Sequence, residues 1–129
     1  MQYISKEHIR EINRDITCEY GDVHAVLSEA TLDHAVSSMQ YKYNALEERE
    51  ALLSKAAFLL GMLANNGHVF ADGNKRTAMM STVVFLRKNG FVLDGTTEEH
   101  TAFVLSISRD QQSLSAIRTW LAQKVKRIE

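Results

Sequence analysis

Between about Glu47 and Asn66 the chain carries a helical pattern whose polar face disappears toward its end. Leu52, Ala56, Leu59, Leu60 and Leu63 mark one side at three- and four-residue spacing. Toward its end, in the run Ala56–Ala64 (AAFLLGMLA), the segment becomes apolar nearly all round. A helix of that kind has to be surrounded by other elements, because any side left in water exposes apolar surface. A membrane does not provide the alternative: the run is far shorter than the ~20 apolar residues that span a bilayer. This segment therefore demands a helical domain built around it as the central element.

The rest of the sequence supplies the surrounding helices. Ser5 is placed to cap a helix to about Tyr20, with Ile9, Ile12, Ile16 and Tyr20 on one face and Gly21 as its stop. Residues 21–30 give mixed signals and read as a loop. A second helix is expected near Leu32–Gln40, and Tyr41–Ala45 (YKYNA) reads as an extended flap or a connector. Asn65-Asn66-Gly67 ends the central helix with residues that tolerate left-handed backbone. A fourth helix is predicted from about Asn74 to Lys88, with Ala78, Met79, Val83, Phe85 and Leu86 apolar and Asn89-Gly90 ending it. "FVLDG" reads as a short extended piece. Thr96 and Glu99 have capping-box spacing and open a helix to about Ser108. Ser113 or Ser115 starts the last helix, holding Leu114, Ile117, Trp120, Leu121 and Val125. Lys124, Lys126 and Arg127 are expected in its last turn, where cations complement the dipole. The chain has no proline, and no repeat or linker interrupts it. The expectation is one all-α domain, residues 1–129, of about six helices.

Bulk properties narrow the function. The 129 residues are 45% hydrophobic and 24% charged, with formal net charge -1. That balance fits a packed domain and argues against wholesale binding to nucleic acid or membrane. A single cysteine, Cys18, excludes an intrachain disulfide and a cysteine zinc cluster. In its helical setting it is expected as a buried small hydrophobe. The opening residues MQYISKEHIR contain no signal-peptide apolar stretch, so the expected compartment is the cytoplasm. His8, His24, His34 and His100 show no metal-ligand spacing and read as surface or capping residues.

The densest polar chemistry lies between the two most apolar helices, in His68–Ala78 (HVFADGNKRTA). Asp72, Gly73 and Asn74 fall at the start of the fourth helix, where backbone N–H groups lack intrahelical partners. Such an end favours anions, and glycine permits close approach of a ligand. Lys75 and Arg76 put two cations in the first turn, where they oppose the helix dipole. A bound phosphate removes that conflict. Asp72 is explained by magnesium, which takes one or two carboxylates together with substrate phosphates. His68 supplies a group suited to general-base work near neutrality. Phe70, apolar among polar neighbours, reads as the loop's anchor. Singly, each of these has an ordinary structural reading; their convergence points to a phosphate-containing ligand with a divalent metal.

His68-Val69-Phe70-Ala71-Asp72-Gly73-Asn74-Lys75-Arg76 resembles the Fic/Doc family motif, His-x-Phe-x-Asp/Glu-Gly/Ala-Asn-Gly/Lys-Arg, at every specified position. The extension NKRTA is similar to the Doc branch. The resemblance implies a Fic fold that transfers part of a nucleotide, with ATP as substrate and Mg²⁺, to a hydroxyl of a target protein. For the Doc branch it implies the toxin of a toxin–antitoxin pair, a kinase acting on elongation factor Tu and so inhibiting translation. Carried over by position, His68 is the general base and Asp72 the magnesium ligand. Gly73, Asn74, Lys75 and Arg76 form the phosphate-binding set, and Phe70 is the buried anchor.

Two positions bear on the reaction. AMP-transferring members have glycine where Lys75 stands and a second arginine where Met79 stands. Met79 cannot bind phosphate and Lys75 crowds the anion nest, which favours γ-phosphate over AMP transfer; Gly73 pulls the other way, because the Doc motif resembles an alanine variant there. The alternatives are an AMP transferase and, from a different class, a metal-dependent ribonuclease using His68, Asp72, Lys75 and Arg76. The inhibitory helix of many Fic proteins ends in Glu-Gly or Glu-Asn, and no glutamate here is followed by either residue. Restraint is therefore expected from a separate antitoxin that folds onto a groove of the domain.

Overall fold

The computed structural model describes residues 1–65 and 68–128. Six helices follow in order: α1 (Lys6–Tyr20), α2 (Glu29–Tyr41), α3 (Glu48–Ala64), α4 (Asn74–Lys88), α5 (Thr97–Asp110) and α6 (Leu114–Lys124). Two three-residue strands, β1 (Phe91–Leu93) and β2 (Val125–Arg127), pair antiparallel with Phe91 opposite Arg127. The architecture is all-α apart from this clip.

Helix α3 is the central element that its sequence requires. Leu52, Ala56, Ala57, Leu59, Leu60 and Leu63 are all buried, and α2, α4, α5 and α6 pack around it. Gly61 lets α6 come close, since a Cβ there would lie 3.3 Å from Ile117 Cδ1. The end of the helix differs from expectation: Asn65 is extended (φ -77, ψ -177), not left-handed. Asn66 and Gly67, expected to share in that stop, lie outside the described residues.

Inside α3 sits a lysine that the apolar pattern hides. Lys55 is 1% exposed, and its Nζ donates to the Tyr3 hydroxyl (2.9 Å), Asn44 Oδ1 (2.7 Å) and the Met39 carbonyl. Three acceptors match the three N–H donors of an ammonium, which is what makes its burial tolerable. The Met39 carbonyl belongs to the last turn of α2, where a cation also meets the negative end of the helix dipole. Tyr41–Ala45 takes the connector form: α2 runs through Tyr41, and turns follow, with Asn44 tied to Lys55.

Three expectations are corrected. Cys18 is exposed. The face that α1 buries runs Ile9, Ile12, Asn13 and Thr17, and a residue one step past Thr17 is rotated about 100° toward solvent. Tyr20 is likewise 54% exposed and does not extend the buried face. At the other end, α6 stops at Lys124, so Val125, Lys126 and Arg127 form β2 rather than a last helical turn. Only Lys124 meets the α6 dipole. Lys126 instead pairs with Asp94 at 3.0 Å, and the Arg127 guanidinium lies 5.3 Å from the Phe91 ring centre.

Candidate functional site

The loop from His68 to Gly73 crosses from α3 to α4 and is held by its own side chains. Phe70 is 1% exposed and Val69 fully buried. Burying a phenylalanine contributes about 1.5–3 kcal/mol, enough to fix the loop's depth. Asn74 closes the loop as a staple: its Oδ1 accepts from Phe70 N–H (2.9 Å) and its Nδ2 donates to the Phe70 carbonyl (2.7 Å). That side chain is thus engaged with the loop. Its backbone N–H and second amide hydrogen are what it has left for a ligand.

Residues 21–28, which carry no clear signal in the sequence, form a strap along the loop. Ala71 N–H donates to the Ala25 carbonyl (2.9 Å), and Leu27 and Ser28 N–H both donate to the Val69 carbonyl (2.7 and 3.2 Å). Val26 and Phe70 form an antiparallel bridge. Val23 N–H donates to Asp72 Oδ2 at 2.9 Å. From α1, Asn13 Nδ2 donates to the Asp72 carbonyl (2.8 Å) and to Thr77 Oγ1 (3.0 Å). Asn13 Oδ1 meets His24 Nδ1 at 2.7 Å, and the His24 ring packs on Phe70 with centres 6.4 Å apart. His24 is therefore half-buried in the loop's support, not the surface or capping residue its sequence context implies.

Gly73 begins α4 with left-handed backbone (φ 76). A Cβ there would meet Asn13 Nδ2 at 3.3 Å and the methyls of Ile16 and Thr17 at 3.4 Å. The glycine therefore answers the close approach of α1 as well as the turn, a reason that differs from the ligand access expected of it. No side chain caps α4 and no acid stands in its first turn. The N–H groups of Asn74, Lys75 and Arg76 precede the first intrahelical bond, from Thr77 N–H to the Gly73 carbonyl.

The start of α4 lines a cleft of about 490 Å³ that is walled also by the C-terminal end of α1 and the first half of α5. Gly73, Asn74, Lys75 and Arg76 line it, as do Met79, Tyr20 and His100. The Arg76 guanidinium rests 4.0 Å from the Tyr20 ring centre, a cation–π contact at the rim. Met79, 8% exposed, forms apolar wall. His100 Nε2 bonds the Asp94 carbonyl at 2.8 Å. His68 and Asp72 lie on the loop leading into this end of α4 and are not part of the cleft lining. His68 is exposed and left-handed (φ 43), a conformation uncommon outside glycine that clusters at functional sites.

The donor set bears on magnesium. Among the described residues no group of three histidines, cysteines or acids is close enough to hold a metal by itself. Asp72 brings one carboxylate with one oxygen already engaged by Val23. That fits an ion that arrives with phosphate oxygens and needs only one protein ligand.

Comparison with known proteins agrees with this geometry. The Fic/DOC family matches residues 3–86, from the N-terminal segment through most of α4. Over 90 residues the chain is 32% identical to the protein named "Protein kinase doc" of Escherichia phage P1, covering 70% of each chain. Over 92 residues it is 34% identical to "Toxin Doc" of Mycolicibacterium smegmatis, covering 71% of this chain and 68% of that one. No helix among the described residues is long and apolar enough to cross a membrane. By the family match and by both relatives, this chain belongs to the Fic/DOC family.

Proposed function

We propose that this protein is a Doc-type toxin that transfers the γ-phosphate of ATP to a hydroxyl side chain of a translation factor. The resemblance to Doc directs the choice of an elongation factor Tu-like target. The names of the two relatives, a protein kinase and a toxin, support the class. The observation that carries the reading is the start of α4, uncapped and cationic and open to the cleft. Three backbone N–H groups, Lys75 and Arg76 there complement a polyphosphate.

In this reading the target hydroxyl approaches beside His68, whose imidazole takes its proton as the oxygen attacks the γ-phosphorus. The new P–O bond forms as the bond from the γ-phosphorus to the β,γ-bridging oxygen breaks, and ADP leaves. Asp72 holds Mg²⁺ through its carboxylate, and the ion supplies charge neutralisation of the phosphates when bound. Lys75 and Arg76 stabilise charge on the transferring and leaving oxygens. Met79 favours this transfer over AMP transfer, because the buried thioether places no cation where a second phosphate contact would be needed. A separate antitoxin restrains the activity by folding part of its chain onto the domain.

ATP labelled separately at the α and γ positions tests the reaction. Label reaching the target factor from the γ position alone is the expected result. Transfer of the α label would replace the kinase reading with AMP transfer, and cleavage of RNA lost in His68→Ala would replace both.

A further inference from the structure

Asn13 and His24 lie outside the His68–Arg76 motif, yet together they fix its acidic residue. Asn13 is fully buried in α1. The orientation of its amide is forced, because the Asp72 carbonyl can only accept and so must face Nδ2. The second Nδ2 hydrogen goes to Thr77 Oγ1 on α4. Asn13 Oδ1 then points at His24 Nδ1 and can only accept, so the neutral His24 ring carries its proton on Nδ1. Every polar atom of this buried amide is satisfied, and each bond fixes the next. The residue before His24 completes the arrangement, since Val23 N–H occupies Asp72 Oδ2. Among the described residues Asp72 Oδ1 has no hydrogen-bond partner.

We infer that Asn13, oriented by His24, is a positioning residue for Asp72: the pair fixes the loop so that Asp72 offers one carboxylate oxygen, Oδ1, to a nucleotide-borne divalent cation. The inference rests on the reading of Asp72 as the metal ligand. It adds that ligand geometry is set from α1 and the strap, by residues that touch neither metal nor nucleotide. A partner one hydrogen bond from a metal-ligating residue, as Asn13 is from Asp72, typically alters metal affinity by about 10–100-fold when lost, and His24, one bond further, sets the low end of that range.

The test uses Mn²⁺ with a non-hydrolysable ATP analogue, free Mn²⁺ being read by electron paramagnetic resonance, and a thermal melt of each protein. His24→Phe keeps a ring against Phe70 and loses the donor. His24→Asn keeps a donor near the Nδ1 position and loses the ring. The expected result is Mn²⁺ affinity about 10-fold weaker in His24→Phe and close to wild type in His24→Asn. Both variants should melt below wild type, the Phe variant through the unpaired Asn13 Oδ1 and the Asn variant through the lost ring packing. Mn²⁺ affinity weakened as much in His24→Asn as in His24→Phe would overturn the inference, since support of the loop by ring packing alone predicts that. So would wild-type Mn²⁺ affinity in His24→Phe while Asp72→Asn weakens binding. Unchanged affinity in Asp72→Asn would instead remove the metal reading, and the positioning role with it. A ¹H–¹⁵N correlation spectrum of the wild-type imidazoles needs no variant: the neutral His24 ring should be protonated at Nδ1, and protonation at Nε2 alone would overturn the inference.

Discussion

The starts of α4 and α5 face the same cleft and are built in opposite ways. At α5, Thr96 Oγ1 accepts from Glu99 N–H at 3.1 Å, and Glu98 and Glu99 stand in the first turn. The cap takes up one of the free donors and the acids complement the dipole, each worth about 0.3–1 kcal/mol. At α4 a left-handed glycine replaces the cap, and Lys75 and Arg76 replace the acids. That start forgoes the local stabilisation that α5 takes. The difference teaches where to look: the α5 start satisfies itself, and the α4 start, which keeps its donors free and adds cations, is the one proposed to take an anion from outside.

The largest test removes the chemistry beside α4. His68→Ala and Asp72→Asn should each lower γ-phosphate transfer by about 10²–10⁴-fold and relieve growth arrest on expression. Both should melt close to wild type, because His68 is exposed and an asparagine at position 72 can still accept from Val23. A melting temperature that collapses with the activity would make these residues structural and erase the contrast with α5.

Next in size is converting one helix start toward the other. Lys75→Glu with Arg76→Glu gives α4 the acidic first turn of α5. The double variant should lose nucleotide binding in a calorimetric titration and gain about 0.5–2 kcal/mol in denaturant unfolding. Loss of both binding and stability would show that these cations serve the fold. A smaller pair of changes probes backbone and cap. Gly73→Ala should cost about 1–2 kcal/mol, since it needs left-handed backbone beside Asn13. Thr96→Ala should cost about 1 kcal/mol for the lost cap. Chemical denaturation measures both.

The smallest effect concerns pH at the α5 side. The Lys126 ammonium hydrogen-bonded to Asp94 holds that carboxyl below its ordinary 3.8, and Lys124 does the same to Glu99 below 4.5. Depressed carboxyl pKa values stabilise the fold above the unfolded values, and that contribution is lost as pH falls through the folded ones. Acid should therefore loosen the β1–β2 and α5–α6 junction first below pH ~4.5, and Lys124→Met with Lys126→Met should flatten the acid limb of a melting-temperature profile. These pairs are exposed, so high salt should flatten it too.

Much of this molecule was legible in one dimension. The near-continuous apolar face of Leu52–Leu63 required a surrounded helix, and Ser5 and Thr96 marked helix starts because a cap acts within its own turn, as did the pair Ser113 and Ser115, of which Ser113 is the cap. His68–Arg76 stood out as a candidate site because its residues are contiguous and its cations stand at the wrong end of a predicted helix. What stayed hidden depends on contacts distant in sequence. Lys55 is readable as buried only when Tyr3, Met39 and Asn44 arrive around it. Cys18 and Tyr20 were misplaced because α1 buries a face containing Asn13 and Thr17, which periodicity of apolar residues cannot find. Lys126 and Arg127 left the last helix because Phe91–Leu93 offered a strand to pair with. Sequence alone therefore determined the helices and the chemistry placed between them, through interactions spanning a few residues. Tertiary structure alone decided how that chemistry is held: Asn13 is 59 residues from Asp72 along the chain, and only packing α1 against α4 turns that separation into a 2.8 Å hydrogen bond.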